Sequence, residues 1–124
     1  MNHIEFGAKG EALAVNYVKR LGWRILGKNI RMGRDELDIT AMDGEELVVV
    51  EVRTRKIGVL APPELTVGPR KMRSLLRASR KYVDRIAFEG NWRIDIVAVT
   101  ESRDGEVEVT LFRDVGTEMD GDFT

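Results

Sequence analysis

Residues Arg34–Arg55, R-D-E-L-D-I-T-A-M-D-G-E-E-L-V-V-V-E-V-R-T-R, read as two strands joined at Asp43-Gly44. An Asp-Gly pair between alternating apolar residues is a strong hairpin signal, because both residues tolerate the positive φ of a tight turn. Side chains alternate across a strand. Leu37, Ile39 and Ala41 are therefore expected on one face and Glu36, Asp38 and Thr40 on the other. On the second strand Val48, Val50 and Val52 share a face, opposite Leu47, Val49, Glu51 and Arg53. A loop centred on Asp43-Gly44 pairs Ala41 with Glu46 and Asp38 with Val49, so Asp38, Glu51 and Arg53 converge on one side. A three-residue loop would reverse that parity.

Two carboxylates and a cation beside Val49 place charge on an otherwise apolar face. Buried carboxylates are costly unless paired or metal-bound. One reading is an ion pair of Arg53 with Glu51 or Asp38 at the rim of the sheet. The other is a divalent-metal site, with Asp38 diagonal from Glu51 at about 7–8 Å, a gap that strand twist and a bridging ion could close. Hard oxygen ligands suit Mg²⁺ or Mn²⁺.

At 124 residues, 43% hydrophobic and 33% charged, the chain has the size and composition of one soluble globular domain. It has no cysteine and one histidine, His3, which argues against disulfides, thiolate zinc sites and histidine-based triads. No apolar run approaches membrane-spanning length and the first residues do not resemble a signal peptide, so the expected location is the cytoplasm.

The net charge of −1 conceals a segregation. Residues 53–85 carry 10 Lys/Arg against 2 Asp/Glu, whereas residues 86–124 carry 3 against 10. A strongly basic third of a near-neutral chain suggests a localised anion-binding face, with solvated surface charge as the plainer explanation.

Outward from the hairpin, Glu5–Leu21 reads as a helix stopped by Gly22. Glu11 falls on its apolar face with Ala14, Val15 and Val18, aimed at the sheet, or else at the edge of that stripe where the helix dipole favours it. Trp23–Ile30 reads as a first strand in which Gly27 marks a bulge. Lys56–Gly68, with Pro62-Pro63, is expected to be a loop leaving the carboxylate region.

Pro69 opens a second helix with a buried stripe of Met72, Leu75, Leu76, Ser79 and Val83. Arg73, Arg77 and Arg80 recur at i, i+4 and i+7 on another face of that helix, joined by Arg70 and Lys81, ready to contact phosphates in a salt-dependent way. No zinc-finger or helix-turn-helix pattern accompanies them, so base-specific reading is not indicated. Trp92–Val99 is apolar on both faces, as a central strand would be, and Asp95 within it reads as a structural partner for a basic side chain. Asp104-Gly105 turns into an edge strand with Val107, Val109 and Leu111 alternating with polar residues. The domain is expected to span residues 1–115, followed by an acidic, disordered tail over 116–124.

An inward glutamate on a helix, three strands carrying D…E-V-R, a basic helix and a further strand resemble the core of the PD-(D/E)xK nuclease superfamily. More closely, the chain resembles the YraN-type family of small bacterial proteins, similar in turn to archaeal Holliday-junction resolvases. The stretches that carry the resemblance are G-A-K-G-E at Gly7–Glu11, G-W-R-I-L at Gly22–Leu26, E-L-D-I at Glu36–Ile39 and V-V-E-V-R-T-R at Val49–Arg55. P-R-K at Pro69–Lys71 and R-I-D-I-V-A-V at Arg93–Val99 complete them.

The resemblance implies a restriction-endonuclease-like three-layer α/β/α sandwich around a mixed sheet. It implies that Asp38 and Glu51 are metal-binding carboxylates, that Glu11 is the helical glutamate of resolvase-like members, and that the Val52 carbonyl is a further ligand for Mg²⁺ or Mn²⁺. Glu11, Asp38, Glu51 and Arg53 would then be the catalytic group, with Arg70, Lys71, Arg73, Arg77 and Arg80 on the nucleic acid. DNA, including branched or otherwise structured DNA, is the expected substrate, and a homodimer is compatible with the resolvase likeness.

Arg53 departs from the pattern, which has lysine there. A guanidinium effectively never releases its proton, so it can orient water or stabilise charge but cannot act as a base. Lys56 and Lys71 are alternative sources of an amine. The competing readings are a non-catalytic nucleic-acid-binding module on a nuclease scaffold and a basic surface that meets an acidic protein.

Overall fold

The computed structural model describes residues 3–56 and 67–116, with side chains from residue 8 onward. Helix α1 (His3–Arg20) is followed by strands β1 (Arg24–Met32), β2 (Asp35–Asp43) and β3 (Glu46–Lys56). Helix α2 (Pro69–Arg85), strand β4 (Trp92–Glu101) and strand β5 (Val107–Phe112) complete the order. The five strands lie side by side in sequence order, with β3 and β4 parallel and the other neighbours antiparallel. The expected loop over Lys56–Gly68 begins with a residue that belongs to β3, and its residues 57–66 lie outside the described residues, as does the expected tail beyond Gly116. Gly116 itself is buried against Ile94.

The sheet is covered on both faces, giving an α/β/α sandwich with a mixed central sheet. Ala14 and Val18 of α1 pack with Trp23, Ile39, Ala41, Val48, Val50, Val97 and Val99 on one side. Met72, Leu75, Leu76, Ala78 and Tyr82 of α2 pack with Leu37, Leu47, Val49, Ile94 and Ile96 on the other. Each fully buried valine or isoleucine contributes ~1.5–3 kcal/mol, which explains why the central strands read as nearly continuous apolar runs. The stripe on α2 follows the expected residues, with Ala78 and Tyr82 added and Val83 left at its margin.

Helix α1 ends where Gly22 N–H donates to the Lys19 carbonyl at 3.0 Å and Trp23 N–H to the Val18 carbonyl at 3.1 Å, the paired bonds that close a helix at glycine. The same helix meets β3 at Gly10, where a Cβ would stand 2.2 Å from Thr54 Cγ2. Only glycine permits that approach, and it seats the neighbouring Glu11 over the sheet.

The hairpin differs in two respects from its sequence reading. Its turn is Gly44-Glu45, because Asp43 pairs with Glu46, Ala41 with Val48 and Ile39 with Val50. Positive φ occurs at Gly44 (62°) and not at Glu45, which is the requirement of a turn with glycine first. The shift is two residues, so face parity survives, while the next register position sets Asp38 opposite Glu51 rather than Val49.

The second difference is a break in alternation. Leu37 packs on the α2 side with Leu47, whereas Ile39 packs on the α1 side with Val48. The switch falls at Asp38, beside Asn29 of β1, whose φ is 50° and which is missing from the β1–β2 register between Lys28 and Ile30. A residue in left-handed conformation interrupts the ladder it sits in, and the β2 alternation breaks at the position opposite that interruption. A separate register shift lies between Ile25 and Gly27, where the glycine was expected to mark a bulge.

Candidate metal centre

The β2–β3 ladder stops at Ile39 and Val50, although β2 continues back to Asp35 beside β1 and β3 continues to Lys56 beside β4. The sheet therefore forks. At the fork, Asp38 Oδ2 accepts the Val52 N–H at 2.8 Å, so a side chain takes over the hydrogen bond that a backbone carbonyl would otherwise supply. That substitution ends the pairing and fixes Asp38 against the central strand.

Glu51 is 3% exposed and shares the fork with Asp38. Burial, first, and the neighbouring Asp38 push the Glu51 carboxyl up to about 7, against the opposing pull of Lys71 and Arg53. Lys71 Nζ stands 3.6 Å from Glu51 Oε2, and Arg53 Nη1 stands 3.5 Å from the same oxygen. Two partly exposed cations on one carboxylate oxygen still leave the Glu51 carboxyl above its usual range. A divalent cation between Asp38 and Glu51 would favour the charged form that burial disfavours.

Glu11 approaches from α1. Its carboxyl is also raised, by partial burial first and then by Asp38 and Glu36, with Lys28 opposing. With its amide nitrogen turned to the carboxylates, Asn29 donates to Glu11 Oε1 at 3.1 Å and to Glu36 Oε1 at 3.3 Å. Glu11 and Asp38 line one groove of the fork, between α1 and β1. Asp38 also lines a second groove on the α2 side, with Lys71, Ser74 and Arg34. Among the described residues, no three carboxylate or imidazole groups stand close enough to hold one ion as their side chains lie. The donor set nevertheless fits a hard cation: Asp38 beside buried Glu51, whose carboxyl is raised, with the raised carboxyl of Glu11 within electrostatic reach.

The expected phosphate contacts separate into groups. Arg70, Lys71, Arg73 and Arg80 are exposed on α2. Arg77 has a carboxylate partner, because its Nε and Nη2 donate to Asp35 Oδ2 at 3.2 and 3.1 Å and tie α2 to the start of β2. Lys71, expected both among the nucleic-acid contacts and as an alternative source of an amine, reaches Glu51. Asn29 escaped the sequence reading because its role depends on an unusual backbone conformation. An asparagine, a residue type that tolerates left-handed backbone, in the middle of a strand was the available signal.

Asp95 is structural, as its sequence context suggested. Arg93 Nε donates to Asp95 Oδ1 at 3.0 Å, and the Asp114 N–H donates to the same oxygen at 2.8 Å.

A family model described as "Uncharacterised protein family UPF0102" matches residues 10–99, a span that holds Glu11, Asp38, Glu51, Arg53 and Lys71. The chain belongs to the UPF0102 family. A UPF0102 protein of Anaeromyxobacter dehalogenans is 44% identical over 107 residues, covering 86% of this chain and 79% of the relative. One from Porphyromonas gingivalis is 39% identical over 104 residues, covering 84% and 77%. One from Thermodesulfovibrio yellowstonii is 34% identical over 112 residues, covering 90% of this chain and all of the relative. Among the described residues, no helix of this UPF0102 protein is long and apolar enough to cross a membrane.

Proposed function

We propose that the protein is a metal-dependent phosphodiesterase of the PD-(D/E)xK type acting on DNA, with branched or otherwise structured DNA as the favoured substrate. The observation that carries this reading is the placement of Asp38 beside buried Glu51 at a fork in the sheet, with Lys71 and Arg53 3.6 and 3.5 Å from Glu51. Asp38, Glu51 and the Val52 carbonyl would hold Mg²⁺ or Mn²⁺, with Glu11 as a further carboxylate from α1. The ion would supply a water of lowered pKa and a positive charge beside the phosphate.

The chain's own residues have separable tasks. The Val52 N–H fixes the orientation of Asp38. Glu51 is mounted on the central strand, which resists displacement because it is paired on both sides up to Val50 and with β4 beyond it. Arg53 offers fixed positive charge and hydrogen bonds to phosphate oxygens, and Lys71 offers an amine that can exchange a proton as a guanidinium cannot. Lys71 on α2 thus takes the place of the lysine that the superfamily pattern puts at position 53.

The test is cleavage of single-stranded, duplex, flapped and four-way-junction DNA with Mg²⁺ or Mn²⁺, with binding scored on the same samples. Metal-dependent products should be lost, by a factor of at least about 100, in Asp38→Ala and Glu51→Ala variants that remain folded. Undiminished cutting by both variants would remove the fork from the mechanism. A second reading, a non-catalytic nucleic-acid-binding module, is favoured by arginine at position 53. It predicts binding without products and binding that survives Asp38→Ala.

A further inference from the structure

The groove on the α1 side of the fork has a volume of about 400 Å³ and is not explained by the carboxylates alone. Beyond Glu11 and Asp38, its polar lining comes from Lys19, Lys28, Asn16 and Asn29, over a floor of small or apolar side chains including Ala12 and Val15. Lys28 acts directly on Glu11, lowering its proton affinity against the two neighbouring acids. The groove thus runs from the carboxylates to two cations on different elements, one at the end of α1 and one on β1. Asp38 joins it to the α2-side groove that contains Lys71, so the carboxylate site opens onto both faces of the sheet.

We propose that the α1-side groove binds the sugar-phosphate backbone of the substrate strand on one side of the cleavage point, with phosphates held by Lys19 and Lys28. The proposal rests on the nucleic-acid reading above and assigns it a second contact surface, separate from the basic face of α2. The electrostatics favour an anion there. Two lysines beside Glu11 and Asp38 give no net charge, but a divalent cation on the carboxylates makes the same groove positive. The ligand is backbone rather than base, because the lining is charged, amide or aliphatic and, among the described residues, offers no aromatic side chain on which a base could stack. Contact is therefore independent of base sequence, and a strand seated in both grooves must pass across the fork.

Binding of a mixed-sequence single-stranded DNA oligonucleotide, followed by fluorescence anisotropy over a salt series with Ca²⁺ as the divalent ion, tests the assignment. Lys19→Ala/Lys28→Ala is compared with the parent and with Arg70→Ala/Arg73→Ala from α2. Lys19 and Lys28 are both exposed, so their replacement should leave the melting temperature unchanged, and Lys19→Gln/Lys28→Gln provides a second neutral pair.

Removing two phosphate contacts should weaken binding about ten-fold at low salt and flatten the slope of log affinity against log salt by about 1.4. The α2 pair should weaken binding independently. Parent-like affinity and slope in both lysine variants, with binding still sensitive to the α2 pair, would overturn the groove assignment and leave the nucleic-acid reading standing. Absence of binding by the parent to this oligonucleotide and to a four-way junction alike would overturn both, and binding to the junction alone would overturn the groove assignment only.

Discussion

The two ends of the sheet carry buried acidic clusters with opposite fates. At the hairpin-turn end, Arg93 is 9% exposed and its guanidinium is shared among Asp95, Asp43 and Glu46, while its face lies 5.3 Å from the Trp23 ring centroid. These partners hold the guanidinium above its already high value despite its burial. At the forked end, Glu51 is as deeply buried and has two cations within reach, yet its carboxyl is pushed up to about 7. One cluster satisfies its charge within the fold and the other does not. A buried acid held above its usual range beside Asp38, which lines a groove on each side of the fork, is the pattern of a ligand site rather than a structural pair.

Breaking the satisfied cluster should have the larger energetic effect. Asp95→Ala strips Arg93 of its most buried partner and frees the Asp114 N–H, and should cost ~3–5 kcal/mol in chemical denaturation while leaving Mn²⁺ affinity unchanged. A loss of Mn²⁺ binding in that variant, with the fold retained, would mean that the two clusters are not independent.

Glu51→Gln should do the reverse. The native carboxyl holds its proton more tightly than the unfolded one, so between pH 4.5 and about 7 the folded state binds more protons. Stability contributed by this group therefore falls as pH rises through that window and the penalty is complete above it. Replacing Glu51 by glutamine should raise stability above pH 7 by up to about 3 kcal/mol and change little below pH 4.5. Urea unfolding of parent and variant at both ends of the window checks the sign. Equal stabilities at high pH would place Glu51 among the satisfied ion pairs.

The smallest effect sharpens the contrast. Asn29→Gly keeps a residue that accepts φ near 50° but removes the amide that holds Glu11. Stability should change by less than about 1 kcal/mol, and Mn²⁺ affinity should fall by about ten-fold. An unchanged affinity would leave Asn29 as a backbone device alone.

The contrast was only partly legible in the sequence. Strand and helix types were readable because valine runs, Asp-Gly pairs and the Pro69 helix start are local signals, and the three-layer arrangement follows from strands apolar on both faces. The turn position was not, since centring the loop on Asp43-Gly44 or on Gly44-Glu45 preserves the same facing and only packing selects between them. Nor was the face switch between Leu37 and Ile39, because alternation assumes a regular strand and Asn29 beside it is irregular.

Asp38 and Glu51 could be named from strand parity, whereas Lys71 could not be placed against Glu51. Its reach depends on how α2 rotates over the sheet, which the Arg77–Asp35 pair helps to fix. The role of Asp95 was legible for the opposite reason. A lone acid in a strand buried on both faces needs a cation nearby, and Arg93 is two residues away on the same face.

The most direct measurement is calorimetric titration of Mn²⁺ into the parent protein and Asp38→Ala at about pH 6.5, in buffers of different protonation enthalpy, just below the Glu51 value so that a displaced proton is detected. The parent should bind one ion per chain and release protons to the buffer, and the variant should show no binding at the same concentrations. Equal binding by both proteins, or none by the parent, would contradict the assignment of the fork as a metal centre.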